Sequence, residues 1–310
     1  AAERLKNRYR GSTEILGGEN ELLAAATWPS VDMVLVAVVG FAGLKPTLAA
    51  IDAGKNIALA NKETLVAGGE LVMGAAREKR ISLIPVDSEH SAIWQCLQGE
   101  NRQAVSKIIL TASGGPFRGR TLDQLAKVTV ADCLKHPNWS MGPKITVDSA
   151  TLINKGLEII EARWLFGIDY SRIEVLVQPE SVIHSMVEFV DGAVIAQCGR
   201  PDMRLPIQYA LTYPHRLPAS YQRLNFADLA AIHFEPPDMA AFPGLRIAWE
   251  AGICGGTMPC VLSAANEVAV RAFLAGRLPF REITEVIKQV INLHKVIKTP
   301  DVTQLVAADS

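Results

Sequence analysis

Val31 to Asp87 reads VDMVLVAVVGFAGLKPTLAAIDAGKNIALANKETLVAGGELVMGAAREKRISLIPVD, and its rhythm decides the fold. The run at 31–40 is nearly continuous in apolar residues, as in a strand buried on both faces of a parallel sheet. A glycine-punctuated turn and helix fill Gly43 to Gly54, and NIALAN (56–61) reads as a second strand. A helix then runs from Lys62 to about Arg80, and ISLIPVD (81–87) is a third strand. Strand, helix, strand, helix, strand is the order of βαβ units, so the expectation is an α/β chain with a doubly wound sheet. Ligands of such sheets collect beyond the carboxyl ends of the strands. Those ends are Gly40-Phe41-Ala42-Gly43, Asn61-Lys62-Glu63 and Asp87-Ser88-Glu89-His90. The glycines at 40 and 43 match GxGxxG only in part, and no full motif follows a first strand.

Outward from this block the pattern changes. Residues 1–30 form a charged, amphipathic lead-in containing Gly17-Gly18. KIILTASGGPF (107–117) is a strand running into a small-residue turn, TLDQLAKV a short helix, and HPNWSMGPK (136–144) a loop. RIEVLVQP, SVIHSMVEFV and AVIAQCG alternate as strands, the last two joined at Asp191-Gly192, a hairpin signal. Residues 213–240 are rich in proline and mixed loops. From about 241 the text is helical through GLRIAWEAGI, VLSAANEVAVRAFLAG and FREITEVIKQVINLH. The expected division is a partial dinucleotide-binding domain at 1–86, an α+β catalytic and dimerisation domain at 87–212, a linker at 213–238 and a small, incomplete helical domain at 239–310.

The chemistry concentrates on KITVDSATLINKGLEIIEAR (144–163). Ile145 and Val147 alternate, and Asp148 and Ser149 then give a helix-start signal. Ile153, Leu157, Ile160 and Trp164 recur at spacings of four, three and four, so one face belongs to a core. Asn154, Lys155, Glu158 and Glu161 share the other face. That face is either a solvated one with ordinary ion pairs or a seat for an anion at a helix N-terminus with a metal close by. Asp87, Glu89 and Glu158 are the candidate metal carboxylates, and an all-oxygen set suits Mg²⁺ or Mn²⁺ rather than zinc. Asp87 is equally placed to cap the next helix. Ser113 in SGG, Ser149, Asn154 and Lys155 offer hydroxyl, amide and ammonium donors for phosphate; SGG also suits an ordinary turn. Trp139 is either part of a lid or an anchor of its loop, and His90, His136 and His184 lie beside these elements.

Composition narrows the function classes. The 31 Lys and Arg nearly cancel the 32 Asp and Glu, so no broad basic field for nucleic acid exists and any anion site is local. Five cysteines in no framework spacing fit reduced thiols. With no apolar run long enough to span a bilayer and no signal-peptide pattern, the expectation is a soluble, cytoplasmic protein without a membrane partner.

Several long strings combine: LANKETLVAGG, VDSEHSAIWQCL, LTASGGPFRG, HPNWSMGPKITVDSATLINKGLEIIEARWLFG and PESVIHSMVEFVDGAVIAQCGRPDMRLPI. Together they resemble the 1-deoxy-D-xylulose 5-phosphate reductoisomerase family over nearly the whole chain, including the SAANEVAVRAFL helix. The resemblance implies a Rossmann-like NADPH domain, an α+β catalytic domain and a C-terminal helical domain. It also implies NADPH-dependent rearrangement and reduction of 1-deoxy-D-xylulose 5-phosphate to 2-C-methyl-D-erythritol 4-phosphate, in isoprenoid biosynthesis. By the same resemblance Mg²⁺ or Mn²⁺ sits on Asp87, Glu89 and Glu158, and phosphate on Ser113, Ser149, Asn154 and Lys155. Lys62 and Ser88 hold the substrate's polar backbone, and His136, Trp139 and Met141 belong to the closing loop. Met141 is assigned to the cofactor side of that loop, and His184 faces the substrate. Lys62, Glu89, Glu158 and His184 form the catalytic set. Gly40, Phe41, Ala42, Asn61, Glu63 and Met203 are placed near NADPH. A homodimer and a cytoplasmic location are implied, or a plastid one in a photosynthetic eukaryote. The family's opening strand with its GSTGSIG-type turn has no counterpart here, and its last helical stretch is cut short after Ser310, so the chain is expected to be a fragment. The alternatives are a non-catalytic fragment that binds metal and phosphate, and a metal-dependent sugar-phosphate lyase.

Overall fold

A computed structural model describes residues 2–310. Helices α1 (Ala2–Arg8) and α2 (Glu19–Ala26) lead into β1 (Met33–Val36), α3 (Leu44–Asp52), β2 (Asn56–Leu59), α4 (Glu63–Lys79) and β3 (Leu83–Pro85). The three strands pair in parallel in the order β1-β2-β3, as the βαβ pattern requires. The first strand departs from its expected form. Only four residues of 31–40 pair, β1 lies at a sheet edge, and Leu35 and Val39 are 41% and 70% exposed. The backbone turns away toward Gly40, whose φ of +70° suits glycine.

The chain continues through α5 (Ser88–Cys96), β4 (Val105–Ala112), α6 (Leu122–Leu125), α7 (Val130–Cys133), α8 (Pro143–Ala150) and α9 (Ile153–Phe166). Then come β5 (Ile173–Val177), β6 (Ile183–Phe189), β7 (Val194–Cys198) and α10 (Arg204–Thr212). A second sheet has the order β5-β4-β6-β7, parallel between β4 and β5 and antiparallel elsewhere. The β6–β7 turn closes at Asp191-Gly192, with Phe189 N–H donating to the Ala193 carbonyl at 2.9 Å. Residues 213–240 are largely irregular, and Glu235 bridges to Val177 at the sheet's edge. Helices α11 (Gly244–Cys254), α12 (Met258–Leu274), α13 (Glu282–Leu293) and α14 (Val302–Asp309) complete the chain.

Helix α9 sits in the middle of the largest core. Ile153, Leu157 and Ile160 are fully buried and join Leu110 of β4, Ile93 of α5, Leu245 and Ala248 of α11 and Leu262 of α12. Gly156 sets the α9–α11 distance, because a Cβ there would run into Ala248 Cβ.

The expected extended stretch before this helix is a correction. Residues 143–150 are helical with Pro143 in the first turn, and Asp148 is an interior helix residue, not a cap. The Ile145/Val147 alternation loses because Pro at a first turn favours a helix and burial of Thr146, Val147 and Ala150 rewards it. Leu152, at φ +60°, then breaks the path, so the second helix begins at Ile153. The polar face is no solvated face: Lys155, Glu158 and Glu161 are all buried. Among the described residues no helix is long and apolar enough to cross a membrane.

Candidate active site

Three elements converge on one cleft of about 330 Å³. Asp87 leaves β3 and enters α5, where its Oδ1 accepts the Glu89 amide at 3.2 Å while Oδ2 faces Lys62 Nζ at 2.9 Å. The cap and the site carboxylate are therefore the same residue. Glu158 arrives from the second turn of α9. Oxygen atoms of Asp87, Glu89 and Glu158 lie within 4.8 Å of one another. Lys62 Nζ also donates to Asn154 Oδ1 at 2.6 Å and lies 3.3 Å from Glu158 Oε1. Lys155 Nζ is 2.8 Å from Glu89 Oε1 and pairs with Glu158 Oε2. Asn154 Nδ2 donates to Glu158 Oε1, and the Ser88 hydroxyl donates to Glu89.

The charges do not cancel. Burial and the neighbouring Glu89 carboxylate push the Glu158 pKa up. Burial opposes charge on Asp87 as well, but the Lys62 ammonium and His90 hold it well below the usual carboxylate range. Behind Glu158 lies a second layer. His90 Nε2 donates to the Glu158 carbonyl at 2.9 Å, and Nδ1 lies 3.3 Å from Glu161 Oε2 and 3.6 Å from Asp87 Oδ1. Burial lowers the His90 pKa, yet Glu161 and Asp87 more than offset it and raise it to about 9. Burial lifts Glu161 to about 7. Four carboxylates thus face two ammonium groups and one imidazole, an excess of buried negative charge that a divalent cation relieves. Hard oxygen donors with no thiol among them fit Mg²⁺ or Mn²⁺. A second donor set, Asp87, His90 and Glu161, shares Asp87 with the first.

The cleft is also lined by the hydroxyl, amide and ammonium groups of Ser113, Ser149, Asn154 and Lys155. Gly114 and Gly115 adopt φ of +82° and +69°, and a Cβ on Gly115 would come within 2.7 Å of the Ser149 carbonyl oxygen. Only glycine lets the SGG turn pack on the end of α8, which sets Ser113 beside Ser149. The first turn of α9 points Asn154 and Lys155 into the same space, with the positive end of the helix dipole behind them. SGG also forms the turn expected of it, since Gly115 N–H donates to Ser113 Oγ at 3.1 Å.

The 136–142 loop roofs the cleft. His136 Nδ1 accepts the amides of Asn138 and Trp139 at 3.2 and 3.0 Å, so its proton sits on Nε2 and is donated to Ser113 Oγ at 3.0 Å. The Trp139 ring lies 6.0 Å from the His184 ring, and burial keeps His184 neutral by lowering its pKa. Met141 and Met203 line the same cleft. Residues that sequence reasoning missed are Gln178 and Ser181 opposite the loop. Asn138 Nδ2 donates to Ser181 Oγ at 2.8 Å, and buried Gln178 fixes the Ser181 turn by accepting the Val182 amide at 2.8 Å. The QPES string (178–181) held the only signal for them, and it marks a turn, not a site.

The remaining cofactor candidates lie elsewhere. Phe41 and Ala42 line a separate cleft of about 600 Å³ with Val39 and Lys45, and buried Gly40 forms the turn above it. Asn61 and Glu63 are buried behind that turn. Asn61 Nδ2 donates to the carbonyls of Val38 and Gly40 at 2.7 and 2.9 Å. These two residues shape the turn from within.

Known proteins share this arrangement. Models of 1-deoxy-D-xylulose 5-phosphate reductoisomerase match residues 1–69, and models of its C-terminal domains match 83–166 and 198–310. The enzyme of that name from Pelotomaculum thermopropionicum is 59% identical over 307 residues, 98% of this chain and 79% of the relative. Its counterpart from Geobacillus kaustophilus is 57% identical, over 99% and 80% of the two chains. The solved Zymomonas mobilis reductoisomerase in complex with NADPH superposes with a TM-score of 0.91 at 44% identity, covering 99% of this chain and 80% of that one. A reductoisomerase in complex with NADPH, fosmidomycin and magnesium gives 0.93 at 39% identity over the same shares. With family models matching along its length and relatives this similar over nearly all of it, the chain belongs to the 1-deoxy-D-xylulose 5-phosphate reductoisomerase family.

Proposed function

We propose that this chain performs the family's reaction at the cleft described: NADPH-dependent conversion of 1-deoxy-D-xylulose 5-phosphate to 2-C-methyl-D-erythritol 4-phosphate, a step of isoprenoid biosynthesis. The observation that carries the reading is α9, which brings Asn154, Lys155 and Glu158 to the lining of one cleft within five residues, Asn154 and Lys155 both bonded to the Glu158 carboxylate.

Asp87, Glu89 and Glu158 would hold Mg²⁺ or Mn²⁺, which when bound supplies Lewis-acid polarisation of a carbonyl and hydroxyl pair. NADPH supplies the hydride, and its binding side is proposed at Met141, Met203 and the Gly40–Ala42 turn. The chain's own residues do the rest. Ser113, Ser149, Asn154 and Lys155 fix the phosphate, and binding energy at that remote end serves orientation of the reacting end. Lys62, held among Asp87, Asn154 and Glu158, carries a proton-bearing ammonium at the reacting end and orients the substrate's hydroxyls with Ser88. Its ammonium form is favoured: burial opposes it, but Asp87 and Glu158 raise the Lys62 pKa well above the usual range. Neutral His184 and Trp139 cover the substrate's apolar side and exclude water.

The four-segment division at 1–86, 87–212, 213–238 and 239–310 belongs to this proposal, as does a cytoplasmic location. So does a homodimer through the exposed face of the second sheet, where Val194 and Ile195 of β7 are 48% and 38% exposed.

Mixing the protein with 1-deoxy-D-xylulose 5-phosphate, NADPH and Mg²⁺ tests the activity. One NADPH is expected to be oxidised per branched polyol phosphate formed, and only with metal present. Carbon–carbon cleavage without NADPH loss would make the chain a lyase, and no turnover would leave it a binder of metal and phosphate.

A further inference from the structure

Lys144 stands where the roofing loop enters α8, and its half-buried ammonium is paired twice. Its Nζ lies 2.7 Å from Glu63 Oε1 and 2.8 Å from Asp148 Oδ2. Glu63 belongs to the first turn of α4, which starts at the end of β2. Its other oxygen accepts Asn61 Nδ2 at 3.1 Å, and that amide also holds the Val38 and Gly40 carbonyls. Asp148 Oδ1 accepts Asn266 Nδ2 of α12 at 2.8 Å. Asp148 and Asn266 are almost fully buried, and Glu63 is 7% exposed. One ammonium group therefore joins the loop's hinge to the Gly40 turn on one side and to α12 on the other. No ligand contact explains this cost: Lys144, Glu63 and Asp148 are absent from the lining of the 330 Å³ cleft, and burying three charges needs a partner for each.

We propose that Lys144 is a positioning residue that couples seating of the nicotinamide cofactor at the Gly40–Ala42 turn to closure of the 136–142 loop over the sugar phosphate. A displacement of the Gly40 turn moves Asn61, then Glu63, and Glu63 carries the ammonium that fixes the hinge of the loop. The path is a continuous chain of hydrogen bonds, neutral from the Gly40 turn to Asn61 and charge-assisted at Glu63 and Lys144, among groups that are buried or half-buried and so pass on small displacements. Glu63 is set for this: burial favours its neutral form, but Lys144 brings its pKa below the ordinary value and keeps it a carboxylate.

The inference rests on the proposed reaction, and its test is separable from that reading. In wild-type protein with Mg²⁺, the Kd of NADP⁺ is measured with and without 1-deoxy-D-xylulose 5-phosphate, a pair that cannot turn over. The ratio of the two is the coupling factor. The expected wild-type factor is about tenfold, within the usual range of such couplings. In Lys144→Met it is expected to fall to about one while NADP⁺ alone still binds, and Lys144→Arg is expected to restore most of it. Lys144→Met/Asp148→Asn, which removes one orphaned buried carboxylate, is the backup should the single variant fold poorly. A wild-type factor of one, or a factor unchanged in the Met variants, overturns the coupling. Equal weakening of both Kd values with the ratio kept shows Lys144 to be structural only and overturns it too. The proposed reaction itself fails by a different sign, absence of NADPH oxidation in the wild-type protein.

Discussion

At the scale of single residues, the site depends on side chains that satisfy one another in ways water would not. Lys155 joins Glu89 and Glu158 and is also proposed to hold the phosphate, so its role can be dissected by the ligand. Lys155→Ala is expected to weaken the phosphorylated substrate about ten- to hundredfold, the worth of a charge-assisted hydrogen bond in a buried site. The dephosphorylated analogue should lose far less. Comparing KM for the two substrates decides it; equal losses would mean that Lys155 only supports the acid cluster. His136 is one residue through which pH reaches the loop. Burial lowers its pKa, so the folded protein prefers the neutral ring that accepts the Asn138 and Trp139 amides. As pH falls, the unfolded chain takes up this proton first. The stability the group contributes is therefore present above the ordinary imidazole pKa and is lost as pH falls through the lowered one. Trp139 fluorescence, taken as the difference from Trp139→Phe, should change over that acid window. In a His184→Gln background, which removes the imidazole 6.0 Å from the Trp139 ring, His136→Gln should abolish the change, and its persistence there would remove His136 from the account.

At the scale of elements, α9 carries Asn154, Lys155 and Glu158, and α11 holds α9 in place. Gly156→Ala puts a methyl group where Ala248 already sits, and overpacking of this kind costs about 1–3 kcal/mol. Thermal unfolding should occur several degrees lower; an unchanged midpoint would mean the two helices separate freely. Elements were legible in the sequence to different degrees. The β2, α4 and β3 order was readable because apolar runs alternate with helical stretches at regular lengths. Asp191-Gly192 was readable because its turn chemistry is local. The α8 segment was not: Ile145, Thr146 and Val147 have strand character by themselves, and only the helix start at Pro143 and burial against α12 and α9 overrule it. The true start of α9 was hidden for a related reason, since Leu152 adopts φ +60° without glycine's excuse, held there by its 4% exposure.

At the scale of the whole molecule, the site is a junction. A parallel sheet supplies Lys62 and Asp87, the α5 turn supplies Glu89, and α9, packed on the mixed sheet and the C-terminal helices, supplies Glu158. The acids and the polar residues Ser113, Ser149, Asn154 and Lys155 that line one cleft with them could be marked in the sequence because their residue types are chemically specific. Lys144, Asp148 and Asn266 could not, because a lysine and an aspartate four apart look like any exposed helix pair, and only the tertiary fold buries them beside Glu63. Gln178 and Ser181 were equally silent. The central claim is that Asp87, Glu89 and Glu158 hold the divalent ion, in preference to the overlapping set of Asp87, His90 and Glu161. Crystals soaked in Mn²⁺ give the most direct test, by anomalous scattering. One peak bonded to Asp87, Glu89 and Glu158, and its loss in Glu158→Gln at the same Mn²⁺ concentration, is the predicted result. A peak on His90 and Glu161, or one that survives Glu158→Gln unchanged, would contradict it.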